Sequence, residues 1–293
     1  MHPMLNRTVI LTLALLLPTI VSAQAQVSAE EYLRIERDET GSALSLQTPI
    51  VGFDRAAAGQ EPLRVDLVGA IHVGDASYYA ALNERFEDYD AVLYELVAPE
   101  GAVPQPNAAP GNLVSGMQFG LTRLLELTFQ LDGVDYAAQN FVHADLTPEA
   151  LAQSMRNRGE SMLTYMVRLF TAAMEDPSLQ ASAAPVGPGV IAALFSPDRP
   201  RLLKIIMASA MLDVTTFTSI IEGDSGSSLV ADRNARAIEV LQNRIEAGDR
   251  NIAIFYGVAH LPDFAERLES EIGLTRSEID WIDAWDLRAK PEN

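Results

Sequence analysis

Two apolar runs in this chain stop at a glycine and deliver a histidine three residues later. Arg64-Val-Asp-Leu-Val-Gly-Ala-Ile-His72 does so early in the chain, and Asn251-Ile-Ala-Ile-Phe-Tyr-Gly-Val-Ala-His260 does so near its end. Both spell Gly-x-x-His, from Gly69 to His72 and from Gly257 to His260. The sequence holds only four histidines, and His2 falls in a segment read below as removed. Short apolar runs bounded by turn residues read as buried strands. A glycine at each strand end is expected to let the backbone turn sharply there.

The rest of the chain supplies the helices such strands need. After His72, Tyr79, Leu82 and Phe86 mark one helical stripe, while Glu84, Glu87 and Asp88 fall on the opposite side. Asp75 or Ser77 is placed to cap that helix. Ala91 to Val97 reads as the next strand, which makes a βαβ unit whose two strands are expected to be parallel. Before it, Tyr32 to Arg37 and Ser42 to Gln47 alternate apolar and polar residues around Glu39-Thr-Gly41, the pattern of an edge hairpin. Ala98 to Gly111 is rich in proline and reads as a loop, and Leu113 to Gln130 as a helix closed by Asp132-Gly133. Asn140 to Asp145 reads as a short strand, followed by Thr147 as helix cap and Pro148 as first helical residue.

Glu149 to Ile221 is helix-rich, is broken between Asp176 and Pro188, and holds six of the nine methionines, which suit the filling of core gaps. Within it, Leu202 to Ile221 is long and apolar, but Lys204 and Asp213 interrupt it. A central Asp costs about 2.5–3.5 kcal/mol in a bilayer, so a buried helix or a lid is the expectation. Ser227 to Ala247 is an amphipathic helix, with Ser227 or Ser228 as cap, Asn234 inside the apolar stripe and Arg233 at its edge. Pro262 opens a helix after His260, with Phe264 and Leu268 inward, and Asp280 to Asp286 reads as a last strand. The expected fold is α/β: a mixed, largely parallel sheet flanked by helices, with an N-terminal β-hairpin and a helical insertion at about 112–222.

The start of the chain is a leader pattern. Arg7 precedes an uncharged stretch from Thr8 to Ser22, and Ala23-Gln-Ala25 offers a small-x-small cleavage site. Residues 1–25 are therefore expected to be a signal peptide, and 26–293 a single domain outside the inner membrane, periplasmic or extracellular. The absence of cysteine rules out disulfides, a thiol nucleophile and a thiolate metal site. Asp and Glu number 40 against 21 Lys and Arg. So acidic a surface repels nucleic acid and anionic lipid, so the expected partner is a peptide or small-molecule substrate, with no stable membrane insertion once the leader is gone.

Ligands of open parallel sheets bind beyond the carboxyl ends of strands. His72, His260 and Glu95, which ends Ala91-Val-Leu-Tyr-Glu95, all fall there. Two histidines and a carboxylate suit a divalent transition metal with positions left for water. A pair of histidines serving only structural roles is the competing reading. Arg233 can stabilise an oxyanion or pair with an acid, and Asn234 needs a hydrogen-bond partner. His143 and Asp145, two apart, can add a ligand or base or serve structure alone. Asp75 can orient His72 or cap a helix. Gly223-Asp-Ser-Gly226 resembles a chymotrypsin-like nucleophile loop, but its helical flanks make it a linker.

Taken together, Gly69-Ala-Ile-His72, Val92-Leu-Tyr-Glu95-Leu, Asp232-Arg-Asn234 and Gly257-Val-Ala-His260-Leu-Pro resemble the TraB/PrgY/GumN family, which includes the TIKI proteins and is similar in fold to ChaN and erythromycin esterases. The resemblance runs from the hairpin to Leu268, apart from the helical insert from Ser154 to Ile221. It implies an α/β core with the paired motifs at the site. It also implies His72, Glu95 and His260 as metal or catalytic residues, with Arg233 and Asn234 matching the family's Arg-Asn pair. TIKI proteins are described as manganese- or cobalt-dependent proteases, so a metal-dependent hydrolase of peptide or ester bonds is the first expectation. In it Glu95 is a ligand or the general base, and Arg233 the oxyanion partner. A sequestering protein for a peptide or small ligand is the alternative, and a haem- or iron-handling protein a third.

Overall fold

In the computed structural model, residues 31–55, 62–104, 125–161, 164, 188–222 and 227–289 are described. The expected leader and the Gly223–Gly226 loop lie outside them, as do most of the helix placed at Leu113 to Gln130 and the break between Asp176 and Pro188. The described strands build a seven-stranded mixed sheet, the expected α/β architecture.

The sheet is organised on β2 (Ala43–Arg55) and β8 (Asn251–Gly257). β2 pairs antiparallel with β9 (Thr275–Asp286) along one edge. Along its other edge it meets first β1 (Arg34–Arg37) and then β3 (Leu63–Ala70), both antiparallel. The hairpin of Tyr32 to Gln47 is therefore present, but its second strand runs on to Arg55 and enters the sheet. Beyond β3 the order is β8, β5 (Ala91–Tyr94) and β7 (Phe141–His143), all parallel to one another. The expected βαβ unit forms through α1 (Ala76–Phe86), with a difference: β3 and β5 are not neighbours, because β8 lies between them. That insertion sets the C-terminal ends of three chain segments side by side.

Helices cover both faces. Tyr78, Tyr79, Leu82 and Phe86 of α1 pack on one face with Val68, Val92 and Phe255. On the other, α6 (Ala231–Ala247) and α7 (Leu261–Arg267) bury Ile238, Leu241, Leu261 and Phe264 against Val65, Leu67, Leu93 and Ile254. The alternation of side chains along each strand divides the two cores. Phe264 and Leu268 are fully buried, as their spacing predicts.

Several local expectations are corrected. The helix placed up to Gln130 gives way before that residue: Thr128–Phe129 is a strand, β6, paired with β4 (Val73–Gly74), and Gln130–Gly133 is a separate single turn, α2. The α6 helix starts at Ala231 and is not capped by Ser227 or Ser228. Ser228 instead gives its N–H and hydroxyl to the Glu160 carboxylate. Asp75 sits at the N-cap of α1 but makes no side-chain cap bond. Thr147 does cap α3 (Pro148–Asn157), accepting from Ala150 N–H at 3.2 Å. The insert continues in α4 (Pro188–Leu194) and α5 (Arg199–Glu222). Among the described residues no helix is long and apolar enough to cross a membrane.

Candidate functional site

The three parallel strands β3, β8 and β5 end together, and their ends carry the residues singled out from sequence. Register puts Ala70 beside Gly257 and Tyr94 beside Phe255. Glu95 then follows β5 directly, its N–H reaching Phe255 O at 3.2 Å. His260 follows β8 after a single 3-10 turn, Val258–His260.

Glu95 is held on both oxygens. Oε1 accepts from Arg233 Nη2 at 2.7 Å, and Oε2 accepts from Gly257 N–H at 2.8 Å. Burial would raise its pKa, but His260, Arg233, the Gly257 N–H and His72 together hold it down to about 2. Arg233 is itself clamped. Its Nε and Nη2 meet the two oxygens of Asp145 at 2.9 and 2.6 Å, a bidentate pair. The Asp145 side chain is 0% exposed and that of Arg233 12%, so this is a buried carboxylate–guanidinium–carboxylate bridge. Burial would lower the Arg233 guanidinium, yet the bond to Asp145 and the charge of Glu95 keep it above its ordinary value.

His260 is fixed from its other side. Asn234 Nδ2 donates to His260 O at 3.0 Å and to Asp263 Oδ2 at 2.8 Å. The Asn234 oxygen is thus left as an acceptor, and His260 Nδ1 lies 2.6 Å from it. The ring must donate from Nδ1, which leaves the Nε2 lone pair free. That nitrogen faces Glu95 Oε1 at 3.7 Å. Burial lowers the His260 pKa below its usual value against the opposing pull of Glu95, so the imidazole stays neutral near neutral pH. Two electron-pair donors then face one another across a gap too long for a hydrogen bond. Tyr256 closes the floor, its ring edge-on to His260 with centroids 5.2 Å apart and its hydroxyl on Ala144 O. Burial, with Asp145 and Glu95 nearby, raises the Tyr256 pKa well above its usual value.

The geometry of that gap tests what can fill it. Two hydrogen bonds from one water, each about 2.8 Å, span about 4.4 Å. Two bonds of about 2.1 Å to one divalent ion span about 3.4–3.6 Å at tetrahedral to trigonal angles. The observed 3.7 Å lies nearer the second. The charges agree: Glu95 and Asp145 are offset by one Arg233, so the cluster keeps one negative charge in excess. Glu95 Oε1 already accepts from Arg233, and among the described residues no three His, Asp or Glu side chains are gathered as a metal-ligand set. His72, expected beside His260 and Glu95, does not join them. Its side chain is exposed, near enough to Glu95 to help lower that carboxylate's pKa but not joined to the pair.

The remaining sequence candidates fall elsewhere. His143 Nε2 lies 2.6 Å from Leu96 O, bracing the main chain just past Glu95. The Asp75 carboxylate neither hydrogen-bonds to His72 nor makes a side-chain cap on α1; its partners are Lys204 and Asp286 N–H. The paired glycines also have another reason than the one expected. Neither has a positive φ. A Cβ on Gly257 would lie 3.2 Å from Glu95 Oε2, and one on Gly69 would lie 2.9 Å from Pro49 Cδ. They supply space, not a turn. Sequence reasoning missed Asp263 and Arg267, which complete the Asn234 network at an i, i+4 spacing on α7, with Arg267 Nε 2.6 Å from Asp263.

Comparison of the chain with protein-family models, with curated proteins and with solved structures gave no match.

Proposed function

We propose that this protein is an exported hydrolase of peptide or ester bonds, working at the His260–Glu95 pair. The observation that carries the reading is the neutral His260 Nε2 lone pair, fixed by Asn234, facing an ionised Glu95. The resemblance of the paired Gly-x-x-His motifs to the TraB/PrgY/GumN family supports the same reading.

The residues divide the work by their pKa. A carboxylate bonded to the Arg233 guanidinium and the Gly257 N–H is held below its ordinary value and is a weak base near neutral pH. Glu95 is therefore an electrostatic anchor, not the general base. His260 Nε2 is the proton acceptor. Once protonated, its cation is stabilised by Glu95 on one side and by the Asn234–Asp263 chain on the other. Arg233, with Nε and Nη2 committed to carboxylates, acts as the clamp that keeps Glu95 ionised and aimed. Only Nη1, loosely set 3.5 Å from Leu229 O, has N–H groups to spare for an oxyanion. If a divalent ion of the Mn, Co or Zn type were held by His260 and Glu95, with His72 the available third ligand, the Nε2 lone pair would be a ligand and not a base, and the ion would itself supply the acidified water and a polarised carbonyl.

The test is hydrolysis of a peptide and ester panel by the wild-type chain, His260→Gln and Glu95→Gln, each with and without added Mn2+, Co2+ or Zn2+. A loss of at least about 100-fold in both variants is expected. Full activity in either would remove the pair from the chemistry. Full metal occupancy in the double variant would remove it as a metal seat.

A further inference from the structure

An aspartate at a helix N-cap ordinarily accepts from a first-turn N–H. Asp75 holds that place on α1 and does not do so. Its Oδ1 takes Lys204 Nζ at 2.7 Å, and its Oδ2 takes Asp286 N–H at 2.6 Å. Lys204 belongs to α5 of the helical insert, and its side chain is 9% exposed. A lysine this buried needs a partner, and the sequence offers it one three residues past His72. A local capping rule is broken in favour of a tether between the insert and the first Gly-x-x-His motif.

The segment so tethered is tied at every step. His72 O accepts from Gln130 N–H at 2.8 Å. Val73 and Gly74 pair with Phe129 and Thr128, and Val73 O also accepts from Trp285 Nε1 at 2.7 Å. Asp75 N–H reaches Ala284 O at 2.9 Å. Against this fixed main chain, the His72 imidazole itself is exposed. Hydrogen bonds hold the main chain of four consecutive residues, and the histidine at their start is exposed.

We propose that Lys204, acting through Asp75, is a positioning residue for His72, so that the helical insert sets where the first motif presents its imidazole. The proposal rests on reading His72 as a group of the hydrolytic site. Removing Lys204 leaves Asp75 with the Asp286 N–H alone, and the expected response is a shift of the loop that hydrates the freed oxygen. His260 and His143 have their own partners, Asn234 and Leu96 O, and are not coupled to that shift.

The test needs no turnover, so it stands or falls apart from the hydrolase reading. Proton–carbon correlation spectra of the imidazole Cε1–Hε1 groups resolve the few histidines, and His72→Gln assigns the His72 signal. Lys204→Met is expected to move and broaden the His72 signal while those of His143 and His260 stay in place, and Lys204→Arg to restore it. If Lys204→Met fails to fold, the double variant Lys204→Met/Asp75→Asn, which removes both charges, is measured in its stead with the same expectation. An unmoved His72 signal in a folded variant overturns the proposal. So does an equal shift of all the histidines, or a double variant that does not fold, since the pair would then serve the fold and not the histidine.

Discussion

Replacing Arg233 with methionine tests the clamp directly. The methionine stem keeps most of the packing and removes every charged contact. Three charge-assisted hydrogen bonds go: two to Asp145 and one to Glu95. More important is what stays behind. Asp145 is wholly buried and Glu95 has 18% of its side chain exposed, so two carboxylates are left facing one another without a cation. Breaking a buried pair by removing one partner costs about 3–5 kcal/mol, and here two anions lose the same partner. A loss in the upper part of that range is expected, against a total stability of about 5–15 kcal/mol for a domain. Asp145→Asn in the same chain removes one of the stranded charges and should recover at least about 1.5 kcal/mol, giving strong coupling in a double-mutant cycle. Urea denaturation followed by circular dichroism at neutral pH reads both quantities. A cost below about 1 kcal/mol for Arg233→Met, or additivity of the two substitutions within about 0.5 kcal/mol, would refute the claim that a buried bridge fixes Glu95.

Other perturbations reach different parts of the same structure. Asn234→Ala removes the acceptor of His260 Nδ1 and the donor to Asp263 in a fully buried position; a loss of about 1–3 kcal/mol and loss of hydrolysis are expected, and unchanged activity would detach the tautomer argument from function. Gly257→Ala places a methyl 3.2 Å from Glu95 Oε2; a small stability change with a large fall in kcat is expected, and an unaltered kcat would show that Glu95 can yield without consequence. The Asp232 carboxyl is lowered chiefly by its bond to Arg158, against burial, with Ser154 assisting. Its folded value lies below its unfolded value of about 3.9, so its stabilisation is present above that pH and is lost as pH falls through the folded value. Asp232→Asn should flatten the acid limb of the stability curve by up to about 1 kcal/mol, and an unchanged limb would exclude the pair as a contributor.

The elements were legible where a single physical signal dominates. Buried strands such as β3 and β8 announce themselves by unbroken apolar runs, and α1 and α6 by stripes at helical spacing. What failed was set by distant contacts. Thr128–Phe129 is a strand because Val73–Gly74 offers it a partner, a fact absent from its own neighbourhood. Asp75 carries a good capping residue's chemistry, yet its carboxylate goes to a lysine 129 positions away. The placement of β8 between β3 and β5 is likewise invisible to periodicity, because either order buries the same side chains.

The site shows the same division more sharply. Sequence treats the two Gly-x-x-His motifs as equivalents, and the sheet makes them unequal. Parallel register sets Gly69 beside Tyr256 and Ala70 beside Gly257, so the two motifs are one residue out of step along neighbouring strands. The second motif turns immediately into a 3-10 turn that buries His260 against Tyr256 and Asn234. The first continues into β4, and its histidine stays exposed. A buried histidine whose tautomer is locked cannot follow a ligand that moves, and an exposed histidine on a tied backbone can meet one that arrives. Under the proposed function, the pair is one fixed base and one presenting group. On that reading, substituting His260 should abolish the chemistry at any substrate concentration, whereas substituting His72 should be felt first in substrate or metal affinity.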